Sequence, residues 1–152
     1  MQQILVTADH ELWLSQIHRA ADFRSPFKRE PFVLLLVSAV SEFDPAERSA
    51  ICREIIRAGC RYVVCYGNEC SLWHDWIDVA YLDSCPEYTP SEESFVMTSW
   101  HEDEPLEDVV YFLRNCTSFD HFVAQRFLVL VIGGNDTLAT AVAEEVRRGF
   151  AA

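Results

Sequence analysis

Apolar blocks alternate with helix-like patterns along most of the chain, and their order predicts the fold. Residues 32–37 form a continuous β-prone apolar run, which is typical of a parallel strand buried on both faces. Asp44, Pro45 and Glu47 then supply an N-cap, a first-turn proline and a capping-box acid, and Gly59 ends the predicted helix. Further strands are predicted at 61–66, 94–99 and 127–132, each followed by a helix.

Each later helix carries one apolar stripe at helical spacing. In the helix predicted over 70–82, the stripe is Leu72, Trp73, Trp76, Ile77 and Ala80, opposite His74, Asp75 and Asp78. In the helix opened by Pro105, it is Leu106, Val109, Val110 and Leu113. The last helix carries Leu138, Val142 and Val146 and is predicted to close at Arg147, Arg148 and Gly149.

Four strands alternating with helices predict a mainly parallel sheet covered on both faces. The expected fold is therefore an α/β three-layer sandwich, flavodoxin-like or Rossmann-like. A single domain over 1–152 is expected, with residues 1–30 as an N-terminal extension or edge element. Within that extension, residues 4–6 are predicted to add an edge strand, and residues 11–21 are predicted to form a helix carrying Trp13 and Ile17.

Composition supports one globular domain: of 152 residues, 50% are hydrophobic, and there are only 5 Gly and 6 Pro. No apolar run approaches the ~20 residues of a membrane span, and the amino terminus lacks the pattern of a secretory signal. We therefore expect a cytoplasmic protein with no membrane association. The six cysteines lie mostly inside apolar patterns, so we interpret them as reduced thiols.

Charge is distributed unevenly. Between Arg61 and Arg114 there is no Lys or Arg, whereas 12 acids occur from Glu69 to Asp108. The 12 acids in the rest of the chain balance its 12 bases. The stretch from Glu69 to Asp108 therefore carries the whole net charge of -12. Such a surface repels nucleic acid and attracts a basic protein partner. The alternative is that it only keeps the protein soluble.

A ligand crevice is expected where the carboxyl ends of the parallel strands meet. The densest group of reactive side chains there is Trp100-His101-Glu102-Asp103-Glu104. His101 suits a general base or a ligand, with Glu104 orienting it. The interpretation we favour is that Glu104 and its neighbours cap the helix opened by Pro105 and that His101 is an ordinary loop residue, because capping needs no second assumption.

His74 and Asp78 share one helix face and are expected to join His101 and Glu104, which makes His101, Glu104 and His74 the catalytic candidates. The candidate ligand-binding residues are Trp100, His101, Glu104, Tyr66, Asn68 and Asp78. A divalent metal on such a His/carboxylate set remains an alternative, but an exposed His and Asp on a solvated face is the commoner case. We expect neither metal nor cofactor.

Other motifs are weak. The stretch Gly133-Gly134-Asn135-Asp136 links a strand to a helix, but neither standard nucleotide-binding glycine motif is present, so a plain turn with an Asn or Asp cap is expected. There is no G-x-S-x-G elbow, so the usual serine hydrolase signature lacks its nucleophile. Cysteine pairs with zinc-site spacing are absent as well.

Residues 98–107, of the pattern T-x-W-H-E-D-E-P-L-E, together with Trp73-His74-Asp75, resemble a family of small uncharacterised bacterial α/β domains. The resemblance spans most of residues 31–140. It implies a bacterial source and a stand-alone α/β domain, and it assigns no catalytic residue.

Two hypotheses for function follow from the residues. The first is a non-catalytic protein-binding or regulatory module acting through the acidic half of the chain. The alternative is a small enzyme or a ligand or nucleotide sensor that uses the His/carboxylate crevice. The charge distribution favours the first, and His101 beside Trp100 and three acids favours the second.

Overall fold

A computed structural model describes residues 1–151 and contains one six-stranded sheet. The strands are β1 (Gln2–Val6), β2 (Glu11–Ile17), β3 (Phe32–Ser38), β4 (Cys60–Gly67), β5 (Met97–His101) and β6 (Arg126–Ile132). They lie in the order β1-β2-β6-β3-β4-β5. β1 is antiparallel to β2, and all other neighbouring strands are parallel.

Four helices cover the two faces of the sheet and confirm a mainly parallel α/β architecture. They are α1 (Pro45–Arg57), α2 (Cys70–Ser84), α3 (Leu106–Asn115) and α4 (Asp136–Ala151). The apolar residues of α1 and α2 form a core on one face, and those of α3 and α4 form a core on the other. None of the helices in residues 1–151 is both long and apolar enough to cross a membrane.

The two central strands confirm the strongest sequence pattern. Every residue of β3 is buried, as is every residue of β6 after Arg126. Because successive strand residues point to opposite faces, Leu34 and Leu128 pack towards α1 and α2, whereas Val33 and Val129 pack towards α3 and α4. A strand between two helical layers therefore needs a continuous apolar run.

Helix α1 has the predicted N-cap and the predicted glycine after its end, but the predicted capping box is only half formed, because the Glu47 carboxylate accepts from the Ala20 backbone N–H at 2.7 Å. The Asp44 carboxylate accepts a hydrogen bond from the Glu47 backbone N–H at 3.1 Å, and Gly59 follows the helix with a φ of +101°. The predicted end of the last helix at Gly149 is wrong, because α4 continues to Ala151. A side chain at Gly149 would place its Cβ 2.4 Å from Val110 Cγ1, so this glycine lets α4 pack closely on α3.

The predicted helix over 11–21 is also wrong. This segment contains β2, which pairs with β1 on one side and β6 on the other. Leu12 and Leu14 pack on the α3/α4 face, while Ile17 packs on the opposite face. The edge strand expected at residues 4–6 is confirmed as part of β1.

Candidate functional site

Strand β5 begins three residues and ends two residues later than the strand predicted over 94–99. This shift decides the geometry of the candidate site. β5 begins at Met97, opposite Tyr62, and ends at His101, opposite Tyr66. His101 is therefore the last strand residue, and it is only 7% exposed. The interpretation of His101 as an ordinary loop residue is wrong.

The ring of His101 lies between two polar partners on the α3 face. Its Nδ1 is 2.9 Å from Glu104 Oε2, and its Nε2 is 3.0 Å from Ser99 Oγ. The Phe112 ring of α3 contacts it edge-on, with 4.7 Å between ring centroids. A carboxylate only accepts hydrogen bonds, so Nδ1 carries the proton, and in the neutral ring Nε2 accepts from the Ser99 hydroxyl.

Glu104 orients His101 and does not cap α3. The amino terminus of α3 has Pro105 at its N-cap position and receives no side-chain cap hydrogen bond. The Glu104 side chain is 44% exposed and remains in contact with water while it holds the buried ring. The pairing of His101 with Glu104 is thus present, and the favoured interpretation that Glu104 caps α3 is wrong.

His74 belongs to a separate group on the other face of β5. Its ring packs edge-on against Trp100, with 4.6 Å between centroids. Nδ1 lies 3.0 Å from the carboxylate of Asp75, and Nε2 lies 3.7 Å from that of Asp78. Asp78 also accepts a hydrogen bond from the Thr98 hydroxyl at 2.8 Å.

The expected convergence of His74 with His101 and Glu104 does not occur. Trp100 and His101 are consecutive strand residues and therefore point to opposite faces of the sheet. Trp100 packs on His74 of α2, whereas His101 packs on Phe112 of α3. The sheet separates the two histidines, and they cannot share one ligand.

Tyr66 and Asn68 occupy the same carboxyl edge. Tyr66 is the register partner of His101 and packs half-buried on the α3/α4 core. Asn68 is exposed in the turn after β4, where its backbone N–H donates to the Ser38 carbonyl at 2.9 Å. Tyr66 therefore borders the His101 group, and Asn68 presents its side chain to solvent.

No set of three or more His, Cys, Asp or Glu side chains within residues 1–151 is arranged to hold a metal ion. The six cysteines are free thiols in the structure, and four of them are buried. Burial raises the pKa of Cys52 and of Cys60 to about 12. These thiols stay protonated at neutral pH, which makes them poor nucleophiles and poor metal ligands.

The sequence analysis did not predict the ion pair between Arg48 of α1 and Glu69 at the start of α2. The Arg48 guanidinium, on a residue only 4% exposed, lies 2.7 Å from the Glu69 carboxylate and stacks over the Trp73 ring at 5.3 Å. Arg48 precedes Ile51 and Cys52 by one helical turn and therefore lies on the apolar stripe of α1. A charged residue on that stripe is the sequence feature that could have indicated a buried ion pair.

A cavity lies at the opposite edge of the sheet from His101. It has a volume of about 480 Å³ and is lined by residues near the start of β5 and by the segment after α3: Glu92, Phe95, Met97, Phe119, Asp120 and His121. Long connections without regular structure build this edge. Sequence periodicity carries no signal for such connections.

The acid-rich stretch forms a charged surface around β5, the edge strand of the sheet. Of its 12 acids, Glu69 pairs with Arg48, while Asp75, Asp78 and Glu104 contact histidines. The remaining eight are exposed and have no ion-pair partner in residues 1–151: Asp83, Glu87, Glu92, Glu93, Glu102, Asp103, Glu107 and Asp108. These eight residues are the acidic surface.

Comparisons with known proteins identify a family. Among curated proteins, a search finds no match for the chain. A family model described as a domain of unknown function (DUF7684) matches residues 13–148. The match runs from β2 into α4 and thus includes the two central strands, both histidine groups and the acidic surface. The chain belongs to this family.

Proposed function

We propose that this chain is a protein-binding or regulatory module that docks a basic partner protein through its acidic surface. The observation that carries the proposal is the set of eight exposed acids without an ion-pair partner in residues 1–151. Unpaired like charges repel one another, and a basic partner relieves that repulsion when it binds.

The contrast with the rest of the chain supports this proposal. Four acids outside the stretch pair with an arginine one helical turn away: Asp22 with Arg19, Glu54 with Arg57, Glu144 with Arg147, and Glu145 with Arg148. Eight other acids outside the stretch have no ion-pair partner in the described residues, but all 12 bases belong to that part of the chain and balance its 12 acids. The uncompensated net charge therefore belongs to the stretch from Glu69 to Asp108.

Exposed apolar side chains accompany the acids. Six large hydrophobic residues between positions 79 and 111 are exposed: Val79, Leu82, Tyr88, Phe95, Trp100 and Tyr111. Aromatic anchors with a charged surround are typical of protein interfaces. β5 is also an edge strand that pairs only with β4. This combination favours protein docking over a role in solubility alone.

A charge-neutralisation series tests the proposal with a synthetic lysine-rich peptide as the probe. The triple variant Glu102→Gln, Asp103→Asn, Glu107→Gln removes three charges from the acidic surface. The matched control Asp9→Asn, Glu30→Gln, Glu42→Gln removes three exposed, unpaired charges elsewhere. We expect the first variant to lower the association rate about tenfold at ~0.05 M salt, and the control to lower it less than about twofold.

Salt dependence is the second measurement in that series. Raising salt from ~0.05 to ~0.5 M should slow association of the unmodified chain markedly, because the Debye length shortens. An association rate that is independent of salt, or equal effects of the two triple variants, would refute docking through the acidic surface.

The finer fold assignment is also part of the proposal. We propose a doubly wound sheet in the broad sense of the flavodoxin-like and Rossmann-like classes, because helices cover both faces and the connections diverge between β3 and β6. The strand order differs from those of both classes: the last strand, β6, lies between β2 and β3, whereas the last strand is at an edge in both standard orders.

The turn at Gly133, which follows β6 where the connections of the sheet diverge, does not favour a nucleotide sensor. A Cβ at Gly133 would lie 2.0 Å from Val40 Cγ2, so the Val40 side chain already fills the space beside this turn. Asn135 Oδ1 accepts a hydrogen bond from the Leu138 backbone N–H at 2.9 Å, as in the capped turn that the sequence predicts.

A second candidate function is acyl transfer, favoured by the hydrogen-bonded chain Ser99–His101–Glu104. A hydroxyl, an imidazole and a carboxylate in this order form the arrangement of a nucleophile, a base and its orienting acid. Ser99 Oγ would attack an ester carbonyl carbon while its proton passes to His101 Nε2. That proton then moves to the departing alcohol, and water hydrolyses the acyl-serine by the same route.

p-Nitrophenyl acetate and a fluorophosphonate label test this second candidate. Hydrolysis should fall at least about 100-fold in Ser99→Ala and in His101→Gln. Labelling should be confined to Ser99. Equal rates for the unmodified chain and Ser99→Ala would eliminate acyl transfer and leave the docking proposal untouched.

A further inference from the structure

Strand β5 has one side without a hydrogen-bonding partner. It lies at the end of the sheet and pairs only with β4 among the six strands. Outside that ladder, no backbone–backbone hydrogen bond within residues 1–151 involves residues 97–100. The Cys70 thiol hydrogen-bonds the backbone of His101, so we define the free side of β5 as residues 97–100. Such an edge presents N–H and C=O groups that another strand can pair with.

The free side of β5 is accessible to solvent. Met97, Thr98 and Ser99 are partly exposed, and Trp100 is 49% exposed. In the central strand β3, by contrast, every residue is buried. Helices cover both faces of the sheet, so the exposure of β5 arises from its position at the end of the sheet.

Cavities flank the start of β5 on both faces of the sheet. The cavity of about 480 Å³ is on the side of α3 and α4, because Phe119 in its lining packs on that core. A cavity of about 310 Å³ is lined in part by Tyr81 and Leu82 of α2. Phe95 and Met97 line both cavities. Successive side chains of a strand point to opposite faces, so a strand added beside β5 would project alternate side chains towards the two cavities.

Both cavities contain acids among their apolar lining. Glu92 and Asp120 line the first and Asp78 lines the second, whereas no described Lys or Arg lines either one. At the other end of β5, Glu102 and Asp103 follow the strand directly. Lysine and arginine have apolar stems and cationic heads, so they suit a surface that combines aromatic rings with carboxylates.

We propose that the basic partner binds as an extended segment that adds a seventh strand to the sheet along the free side of β5. This inference rests on the docking function proposed above and specifies how the partner binds. Main-chain hydrogen bonds to residues 97–100 supply affinity, and basic side chains directed towards the two cavities supply selectivity. Four strand residues span about 13 Å, so a short segment is sufficient.

Charge disfavours a second copy of this chain as the added strand. Pairing of β5 with β5 of another copy would bring together two stretches that each carry the whole net charge of -12. These like charges repel one another, and charges around an edge strand are a known protection against such self-pairing. A basic segment experiences attraction from the same acids.

A short peptide of alternating lysine and valine is the probe for the test. Its matched control is the same peptide with every internal amide N-methylated, which keeps the charge but has no internal N–H to donate to β5. We expect the control to bind at least about tenfold more weakly, as measured by calorimetry. Equal, salt-dependent affinities of the two peptides would overturn strand addition and leave docking through the acidic surface in place. Absence of binding by either peptide would overturn both.

Amide hydrogen exchange followed by NMR locates the bound peptide. The β5 amides that point away from β4 should exchange at least about tenfold more slowly in the complex. The amides of β1, the strand at the other end of the sheet, should be unaffected. Protection at β1 or at neither strand would overturn the proposal, as would β5 protection that grows with the concentration of the chain alone.

Asp120 provides a test on the protein itself. It lines the cavity of about 480 Å³ but is not one of the eight residues of the acidic surface. Asp120→Asn should weaken binding of the unmethylated peptide about threefold. Asp9→Asn removes an equal charge from an exposed aspartate between β1 and β2, and it should leave binding unchanged. Equal affinities of the two variants would overturn the proposed position of the peptide along β5.

Discussion

Replacing His101 with alanine measures what this side chain contributes to the fold. The ring is 7% exposed, contacts Phe112 at 4.7 Å, and has a polar partner on each nitrogen. His101→Ala removes all three interactions and leaves a cavity between β5 and α3. The variant should therefore be clearly less stable, whereas a loop histidine would contribute little.

The magnitude follows from the contacts. The edge-on aromatic contact contributes about 1 kcal/mol, and each of the two hydrogen bonds contributes about 1 kcal/mol net. Glu104, at 44% exposure, regains water after the substitution, which offsets part of the loss. We expect the free energy of unfolding to fall by about 2–3 kcal/mol, which corresponds to a Tm lower by roughly 4–12 °C.

Urea denaturation followed by far-UV circular dichroism provides the measurement, with an unchanged m-value required for the comparison. His18→Ala is the matched control, because His18 is exposed and should cost less than about 0.5 kcal/mol. If His101→Ala costs no more than His18→Ala, the buried Ser99–His101–Glu104 chain contributes nothing to stability and the reasoning fails.

Three further predictions concern the thiols and the turn after β4. Thiol titration in denaturant without reductant should find six thiols, with exposed Cys116 reacting fastest in the folded chain; fewer than about five thiols would contradict the reduced state. Burial raises the pKa of Cys60 from 9.0 to about 12, so above pH 9 the unfolded chain releases this proton first, and Cys60 alone should lower the free energy of unfolding by about 1.4 kcal/mol per pH unit up to pH 12, with a similar contribution from Cys52. Chemical denaturation from pH 8 to 11 should show a shallower decline in Cys60→Ala; equal slopes would refute this assignment. Gly67→Ala should cost at least about 2 kcal/mol in the same assay, because φ is +94° and the new Cβ would lie 2.4 Å from the Ser38 carbonyl oxygen; a cost below about 0.5 kcal/mol would contradict that clash.

Local signals predicted much of the architecture. The buried runs of β3 and β6, the N-cap Asp44 and the apolar stripe of α3 all appear as expected. These features depend on interactions within about one helical turn or on burial of a whole segment. Both the local interactions and the burial of a segment leave a recognisable pattern in a single sequence.

Residues 11–17 illustrate where local signals fail. Trp13 and Ile17 are spaced as on a helix, while Leu12 and Leu14 are spaced as on a strand. A short segment with both periodicities is decided by its neighbours, and here β1 and β6 provide hydrogen-bonding partners on both sides. β6 is distant in sequence, so periodicity alone did not predict β2.

The sequence predicted several residues of the candidate site, but it predicted neither Ser99 nor the arrangement. By itself the sequence determined that His101, Glu104, His74 and Asp78 would lie near β5 and that the surrounding surface would be acidic. Only the tertiary structure decided that His101 is buried with Ser99 and Glu104, while His74 packs with Trp100 on the other face. The physical reason is the two-residue period of a strand: the pairing of β5 with β4 sets which residues belong to the strand, and consecutive side chains must then point to opposite faces of the sheet.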